Sequence, residues 1–453
     1  MWLHGPFLSL FPFARSEVKW GPRPIHNGSQ RVETTEAAAP AVAAGPARVA
    51  GWSRAAQAFS SLAVVNFRYL LGGTVAASFA MWMEQIGQGW LVAKLTDSPF
   101  QLGLVQFIRG ASVLTISPFA GALSERVDRR LLAGVASTVN GLSALAIAIL
   151  IVTGHIAVWQ LYVTAFIGGF SGSIYNPVRQ FLVFDAVGQK HLPNAIALNA
   201  MVNNMARVVG PGVAGFLISY TISSAFFGKF IFFMAATLSL IPLRLDQASP
   251  GEREPVLTSV RLGARYLLRH PTLLRLTVLQ AIPSGLIFPY LQLMPLMAKN
   301  YLHVGSTGYG WLMTGVGIGS LVSALAVAAF SDARHKGAMA SIALLVYMTM
   351  ILSFSFSRDY VLSLFLLIMG GTGLVVFSTF NQTLLQLHVE DEYRGRVLSL
   401  YTMSQGLNPF GSLAMGFVAS QFLDTPHAIA AFCLVALVLA ALGGVASKDI
   451  RSL

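Results

Sequence analysis

The chain has 453 residues, of which 55% are apolar and only 11% charged, with mean hydropathy +0.65 and a net charge of +12. A soluble domain carries about 25% charged residues, so an ordinary soluble enzyme, a nucleic-acid binder and a disordered protein are all excluded as descriptions of the whole chain. The single cysteine, Cys433, excludes an intrachain disulfide framework and a cysteine-rich metal site.

Residues 1–62 read as a disordered tail. The stretch 34–54 is rich in Ala, Pro and Gly without a helical period, and no basic residue precedes the apolar piece 7–13, which argues against a signal peptide. Membrane helices of roughly 20 apolar residues are then predicted near 70–93, 101–123, 131–153, 157–183, 195–219, 225–244, 273–298, 308–330, 338–356, 360–386, 397–421 and 426–446. Alternate connections assign 17 Lys and Arg to one side, the amino-terminal tail left aside. Only Lys94, Lys229, Lys299 and Arg358 fall on the other. The basic side faces the cytoplasm, so both termini are expected there, in the plasma (inner) membrane. Inner loops then account for the net charge, and no nucleic-acid partner is needed.

The chain is internally duplicated. Gly168-Gly169, Gln180 and Leu182 recur as Gly370-Gly371, Gln382 and Leu384, all 202 residues on. Gly210 and Gly215 recur as Gly411 and Gly416 at 201. The expected fold class is therefore an all-α membrane protein of about twelve transmembrane helices in two pseudo-symmetric six-helix bundles, 63–245 and 273–447. A cytoplasmic linker, 246–272, joins them and a short tail, 448–453, ends the chain. Such repeats place a substrate cavity between the halves near mid-membrane. In the linker, Arg261, Arg265 and Arg269 share one helix side, which fits either an amphipathic helix on the inner membrane surface or a solvated helix. Gly210-Pro211-Gly212 predicts a bend in the fifth span.

Charges inside the spans mark function, because each costs at least about 2.5–3.5 kcal/mol there. Glu84, Arg109 and Arg207 are such residues. Glu84 and Arg109 fall at similar depth on antiparallel spans. They form either a static ion pair or the seat of ion coupling, with a proton as the expected ion. Arg207, flanked by Asn203 and Asn204, either holds an anionic or polyhydroxy ligand or ties helices together. Gln85, Gln88, Gln106, Asn381 and Gln382 are further candidates for the cavity wall. No nucleotide loop, zinc-protease motif, serine-hydrolase elbow or Cys/His cluster is present. The chain is therefore read as a transporter and not an enzyme, with no cofactor or bound metal, a small-molecule substrate, the lipid bilayer as its surroundings and a monomeric state.

After the second span the sequence reads Gly121-Ala122-Leu123-Ser124-Glu125-Arg126-Val127-Asp128-Arg129-Arg130. This resembles the signature loop of the major facilitator superfamily, with Glu125 where Asp is usual and Asp128 where Gly is usual. Trp82-Met83-Glu84, Gly89-Trp90-Leu91-Val92, Leu95-Thr96-Asp97-Ser98-Pro99 and Ala206-Arg207-Val208-Val209-Gly210-Pro211 resemble the enterobactin-exporter-like branch, the transmembrane secretion effector type. The likeness runs over about 67–446. It implies a proton-coupled exporter of siderophores or amphiphilic drugs working by alternating access. An importer with the same fold, or a membrane-embedded receptor or enzyme, is the alternative. It also implies a gate loop of Gly121, Glu125, Arg129, Arg130 and Asp185. In that gate Glu125 faces the start of span eleven, near Ser399 and Leu400, and Arg129 pairs with Asp185 to latch the halves.

Overall fold

The computed structural model describes residues 59–243, 256–329 and 335–443. The tail before Phe59, most of the linker between 244 and 255, the loop 330–334 and the end of the chain lie outside that set. Among the described residues every regular element is helical. A short 3-10 turn, Ser60–Ala63, precedes α1 (Val65–Thr96), α2 (Pro99–Arg126) and α3 (Arg129–Val152). The long α4 (Val158–Tyr220) and α5 (Ile222–Leu238) complete the first half. The connecting helix α6 (Val256–Arg269) follows. The second half holds α7 (Pro271–Tyr301), α8 (Ser306–Ala329), α9 (Lys336–Phe356) and α10 (Tyr360–His388). It ends with α11, made of Asp391–Met403 and Asn408–Gln421 joined by a 3-10 turn, and α12 (Thr425–Leu442).

These elements make twelve spans, because α4 is two helices end to end. Its only non-helical residue is Gly188, at φ 63° and ψ 178°, a region that essentially only glycine enters. The predicted break between spans four and five therefore lies at Gly188, and no loop separates 183 from 195. Pro193 and Pro211 sit inside the same helix without interrupting its dihedrals, so the expected bend at Gly210-Pro211-Gly212 is not a break. Among the described residues six helices are long and apolar enough to cross a membrane by length and composition alone. Ile222–Leu238 is apolar but has only 17 residues.

Local chemistry sets the ends. Asp128, Asp359 and Asp424 cap α3, α10 and α12 by accepting from Arg130, Leu362 and His427 backbone amides at 2.7, 2.7 and 3.1 Å. Pro99, Pro271 and Pro426 stand in first turns, where a missing amide donor costs nothing. In α7, π-turns at Pro283–Ile287 and Met297–Tyr301 interrupt the regular helix.

The halves meet through equivalent pairs, α2 with the second part of α11, and α8 with the second part of α4. The repeat explains this directly. A Cβ on Gly416 would lie 2.5 Å from the Pro99 carbonyl oxygen, and one on its repeat mate Gly215 would lie 2.5 Å from the Ser306 carbonyl oxygen. Both glycines let the first turn of a helix from the opposite half approach closely. The connecting helix α6 docks on α11: Tyr266 stacks on Tyr393 at 4.3 Å, and both pack with Leu267, Leu384, Val397 and Tyr401. Arg261, Arg265 and Arg269 stay exposed.

Candidate functional site

A cavity of about 730 Å³ lies between the halves. The first half contributes Trp82, Gln85, Gln106, Arg109 and Arg207 to its wall, and the second contributes Gln280, Ser284, Gln292, Gln405 and Asn408 among others. Among the described residues, its only charged lining residues are the two arginines.

Behind Arg109 lies a buried polar network. Arg109 Nη2 donates to Glu84 Oε1 at 2.9 Å and also to Gln88 Oε1. Gln88 Nε2 donates to the Leu161 carbonyl at 3.0 Å. Glu84 and Gln88 are four residues apart on α1 and so share a face. Gly168 and Gly169 make room for them: a Cβ at Gly168 would stand 2.8 Å from Glu84 Oε1, and one at Gly169 2.3 Å from the Arg109 carbonyl oxygen. A second cation completes the network. Lys229 Nζ lies 3.0 Å from the same Glu84 oxygen, with its side chain 2% exposed.

Lys229 corrects the sequence reading, which placed it in an outer connection. It lies inside α5, between Gly228 and Phe230, and also stands 5.8 Å from the Phe233 ring centroid. The signal was present in the apolar run Ala225-Phe226-Phe227 before it and Phe230-Ile231-Phe232-Phe233 after it. A lysine so flanked is a mid-span residue, whatever the charge rule for loops suggests.

Other candidates separate into wall and scaffold. Gln85, Gln106 and Arg207 line the cavity, and Gln106 Nε2 reaches Asn408 Oδ1 at 3.5 Å across the halves. Gln88 lies one layer behind, on Arg109. Asn203 does not join Arg207. It accepts from Ser78 Oγ at 2.8 Å, one rung of a ladder in which Asn199 accepts from Thr74 at 2.9 Å and Asn194 from Ser61 at 2.6 Å. This ladder ties α4 to α1 and the turn before it. Asn381 is buried and donates to the Leu276 carbonyl at 3.0 Å, tying α10 to α7. Asn204 and Gln382 are exposed away from the cavity wall. Helical phase does not separate them, since Asn203 and Asn204 lie one turn from the lining residue Arg207, and Asn381 and Gln382 one turn from the lining residue Ser378; what separates them is depth along the span.

In the signature loop, Arg129 Nη1 lies 2.7 Å from Asp185 Oδ2, both side chains being buried, with the guanidinium 5.1 Å from the Phe181 ring centroid. Both residues belong to the first half, so this pair joins α3 to α4 and does not bridge the halves. Arg130 Nη2 donates to the Ile241 carbonyl at 3.3 Å. The surroundings of Gly121 and the side chain of Glu125, and with them the expected contact to Ser399 and Leu400, lie outside the described residues.

The halves are bridged at the opposite end. Asp97 Oδ1 accepts from Lys299 Nζ at 3.0 Å and Asn300 Nδ2 at 2.9 Å, and Lys299 also donates to the Ala93 carbonyl at 3.2 Å. Trp90 stacks on Tyr309 at 5.9 Å, and Phe100 and Phe107 meet Phe417 and Phe410 edge to face. In the sequence alone Asp97 stands out only within the resemblance and Lys299 only as a loop charge.

Two pseudo-symmetric six-span halves around a polar cavity, closed at one end, define a transporter of the major facilitator fold and not an enzyme. Solved structures show the same fold. A bacterial homologue of the human lysosomal transporter Spinster, captured inward-facing and unoccupied, aligns with a TM-score of 0.67 at 12% identity over 85% of this chain and 98% of that one. A D-xylose-proton symporter aligns at 0.62 and 13% identity, over 87% and 99%. Residues 56–449 match the transmembrane secretion effector family, and the chain belongs to it. The staphyloferrin A transporter of Staphylococcus aureus is 24% identical over 78% of this chain and 90% of its own length. The multidrug efflux pump Tap of Mycolicibacterium fortuitum is 25% identical over 79% and 89%.

Proposed function

We propose that this transporter is a proton-coupled exporter of siderophores or amphiphilic drugs, working as a monomer with both termini in the cytoplasm. The observation that carries this reading is Arg109, which touches the buried Glu84 on one side and the cavity between the halves on the other. A charge change at Glu84 is thereby felt where the substrate binds, which is the linkage an exchanger needs. Export is favoured by the efflux pump among the relatives and by the family's description as secretion effectors.

In this reading the end carrying Asp97 and Lys299 faces outward and is closed, while the cavity opens toward the cytoplasm. The exposure of Phe119 on α2 and Met403 on α11, 70% and 56%, supports that direction of opening. The pairs Arg129–Asp185 and Glu84–Lys229 then hold the first half rigid as it rocks against the second.

Inverted membrane vesicles test the reading. Labelled siderophore or drug should accumulate in vesicles bearing the transporter when their interior is acidified, and not when the proton gradient is collapsed. Glu84→Gln should abolish the gradient-driven movement while substrate binding persists. Movement in the opposite direction, or gradient-driven export by the Glu84→Gln variant, would sink export or Glu84 as carrier respectively.

A further inference from the structure

Glu84 is the one acidic residue well inside a span, yet three cations, Arg109, Arg207 and Lys229, share the interior with it. Two of them close on a single Glu84 oxygen, at 2.9 and 3.0 Å. The third, Arg207, lines the cavity without a hydrogen-bond or ion-pair partner among the described residues. One carboxylate cannot neutralise three cations, so positive charge is left over in a region where it is costly. It points into the cavity. Arg109 lines that cavity, its side chain is 23% exposed, and its buried Nε has no hydrogen-bond partner. Among the described residues the rest of the polar wall is amide and hydroxyl, from residues such as Gln85, Gln280, Ser284 and Gln405, and holds no acid. Such a wall offers a lipophilic cation no counter-charge, whereas a carboxylate or similar oxyanion meets two guanidinium forks.

We propose that the cavity takes an anionic, polar substrate held between Arg109 and Arg207, and that Lys229 is the positioning residue that makes this possible. Lys229 keeps Glu84 neutralised from behind when Arg109 turns from Glu84 to the substrate. Without Lys229, Arg109 is Glu84's only cation and is not free to leave it. This proposal rests on the cavity being the transport site, and it names the substrate class. It needs neither a direction of transport nor a coupling ion.

Calorimetric titration of the purified full chain in neutral detergent at low salt tests it, with three probes: tricarballylate, its uncharged trimethyl ester, and the cation ethidium. Tricarballylate should bind, with added salt weakening it, and the ester and ethidium should bind at least tenfold more weakly. Arg207→Gln should weaken tricarballylate about tenfold or more, and Arg207→Lys, which keeps the charge, by less. Lys229→Met should weaken it by a similar factor although Lys229 does not line the cavity. Adding Glu84→Gln to Lys229→Met should restore affinity, because Arg109 then has no carboxylate to hold it. A purely structural role for Lys229 predicts no such recovery. Absence of tricarballylate binding, equal or tighter binding of ester or ethidium, or unchanged affinity in Arg207→Gln overturns the anion site. Unchanged affinity in Lys229→Met, or no recovery in the double variant, overturns the role of Lys229. Failure of transport in vesicles with these binding results intact would count against proton-driven export and leave the anion site standing.

Discussion

Lys229 and Glu84 stand 3.0 Å apart inside the first bundle, on α5 and α1, and Arg109 on α2 closes on the same carboxylate oxygen. Three helices of one half are thus joined through a single atom, and the cavity touches only one of the three residues.

The fold depends on Glu84 more than on either cation of that group. Removing the acid leaves two buried cations facing each other, whereas removing Lys229 leaves a matched pair. Glu84→Ala should therefore cost about 3–5 kcal/mol and Lys229→Met distinctly less. Thermal unfolding in detergent, followed by the fluorescence of the seven tryptophans, gives the comparison. Equal loss from both would show that the network is not organised around Glu84.

Closure at the Asp97 end depends on a backbone approach. With a Cβ on Gly416 only 2.5 Å from the Pro99 carbonyl oxygen, Gly416→Val should hold α2 and α11 apart. Transport should be lost, while a cysteine at position 101 becomes reactive to a membrane-impermeant maleimide added from that side. A Cys433→Ser background removes the one native thiol. Retained transport in Gly416→Val would mean that this contact is not needed for the cycle.

Asp97 gives that closure a pH dependence of known sign. The Asn300 hydrogen bond, with the Lys299 ammonium beside it, holds the carboxyl below the usual carboxylate range, against a smaller opposing effect of burial. A carboxyl lowered in this way favours the closed arrangement at neutral pH and loses that contribution as pH falls through its lowered value. The latch should thus be insensitive between pH 6 and 8 on a scale of about 4 for an ordinary Asp, and weaken only in acid. Asp97→Asn should remove it at every pH. The pair is half exposed, so the effect should stay below about 1 kcal/mol, or roughly fivefold in the closed-to-open ratio. Spin or fluorophore pairs across 97 and 300 are unsuitable, since they replace the latch, and a pair across 101 and 421 reads the same opening.

Gly188 separates spans four and five by backbone alone. Nothing lies within 4 Å of the position a Cβ would take, so Gly188→Ala creates no clash. Its dihedrals nonetheless exclude side chains, and the substitution should cost about 1–3 kcal/mol. Gly188→Asn should be no better, because ψ is 178° and not the left-handed helical value that Asn tolerates. Expression level and unfolding temperature of the two variants decide this, and a neutral Asn variant would contradict the backbone argument.

Much of the fold was legible along the chain. Spans such as 338–356 and 360–386 fall within a few residues of Lys336–Phe356 and Tyr360–His388, since hydropathy needs only a window of neighbours. Glu84, Arg109 and Arg207 stood out for the same reason, each being a charge within an apolar run. What the sequence does not show is depth and partner. Asn203 and Asn381 share a helix side with the wall residues Arg207 and Ser378, yet one turn further along the span they meet Ser78 and the Leu276 carbonyl instead of the cavity. Lys229 reads as a loop residue along the chain because it sits about two turns into a span whose start gives no cap signal, Thr221 making no side-chain cap.

By itself the sequence determined that this chain is a doubled set of apolar rods with a handful of charges stranded inside them. Oil demands saturated backbone and apolar side chains from each segment separately, and a segment's own residues report whether it complies. Only the tertiary structure decided that one carboxylate is shared by Arg109 and Lys229, that Arg207 is left facing open space, and that the halves are fastened through Asp97 and not through Arg129. Those outcomes depend on which helix faces come within about 3 Å of each other, and that is settled by close packing among segments far apart in the chain.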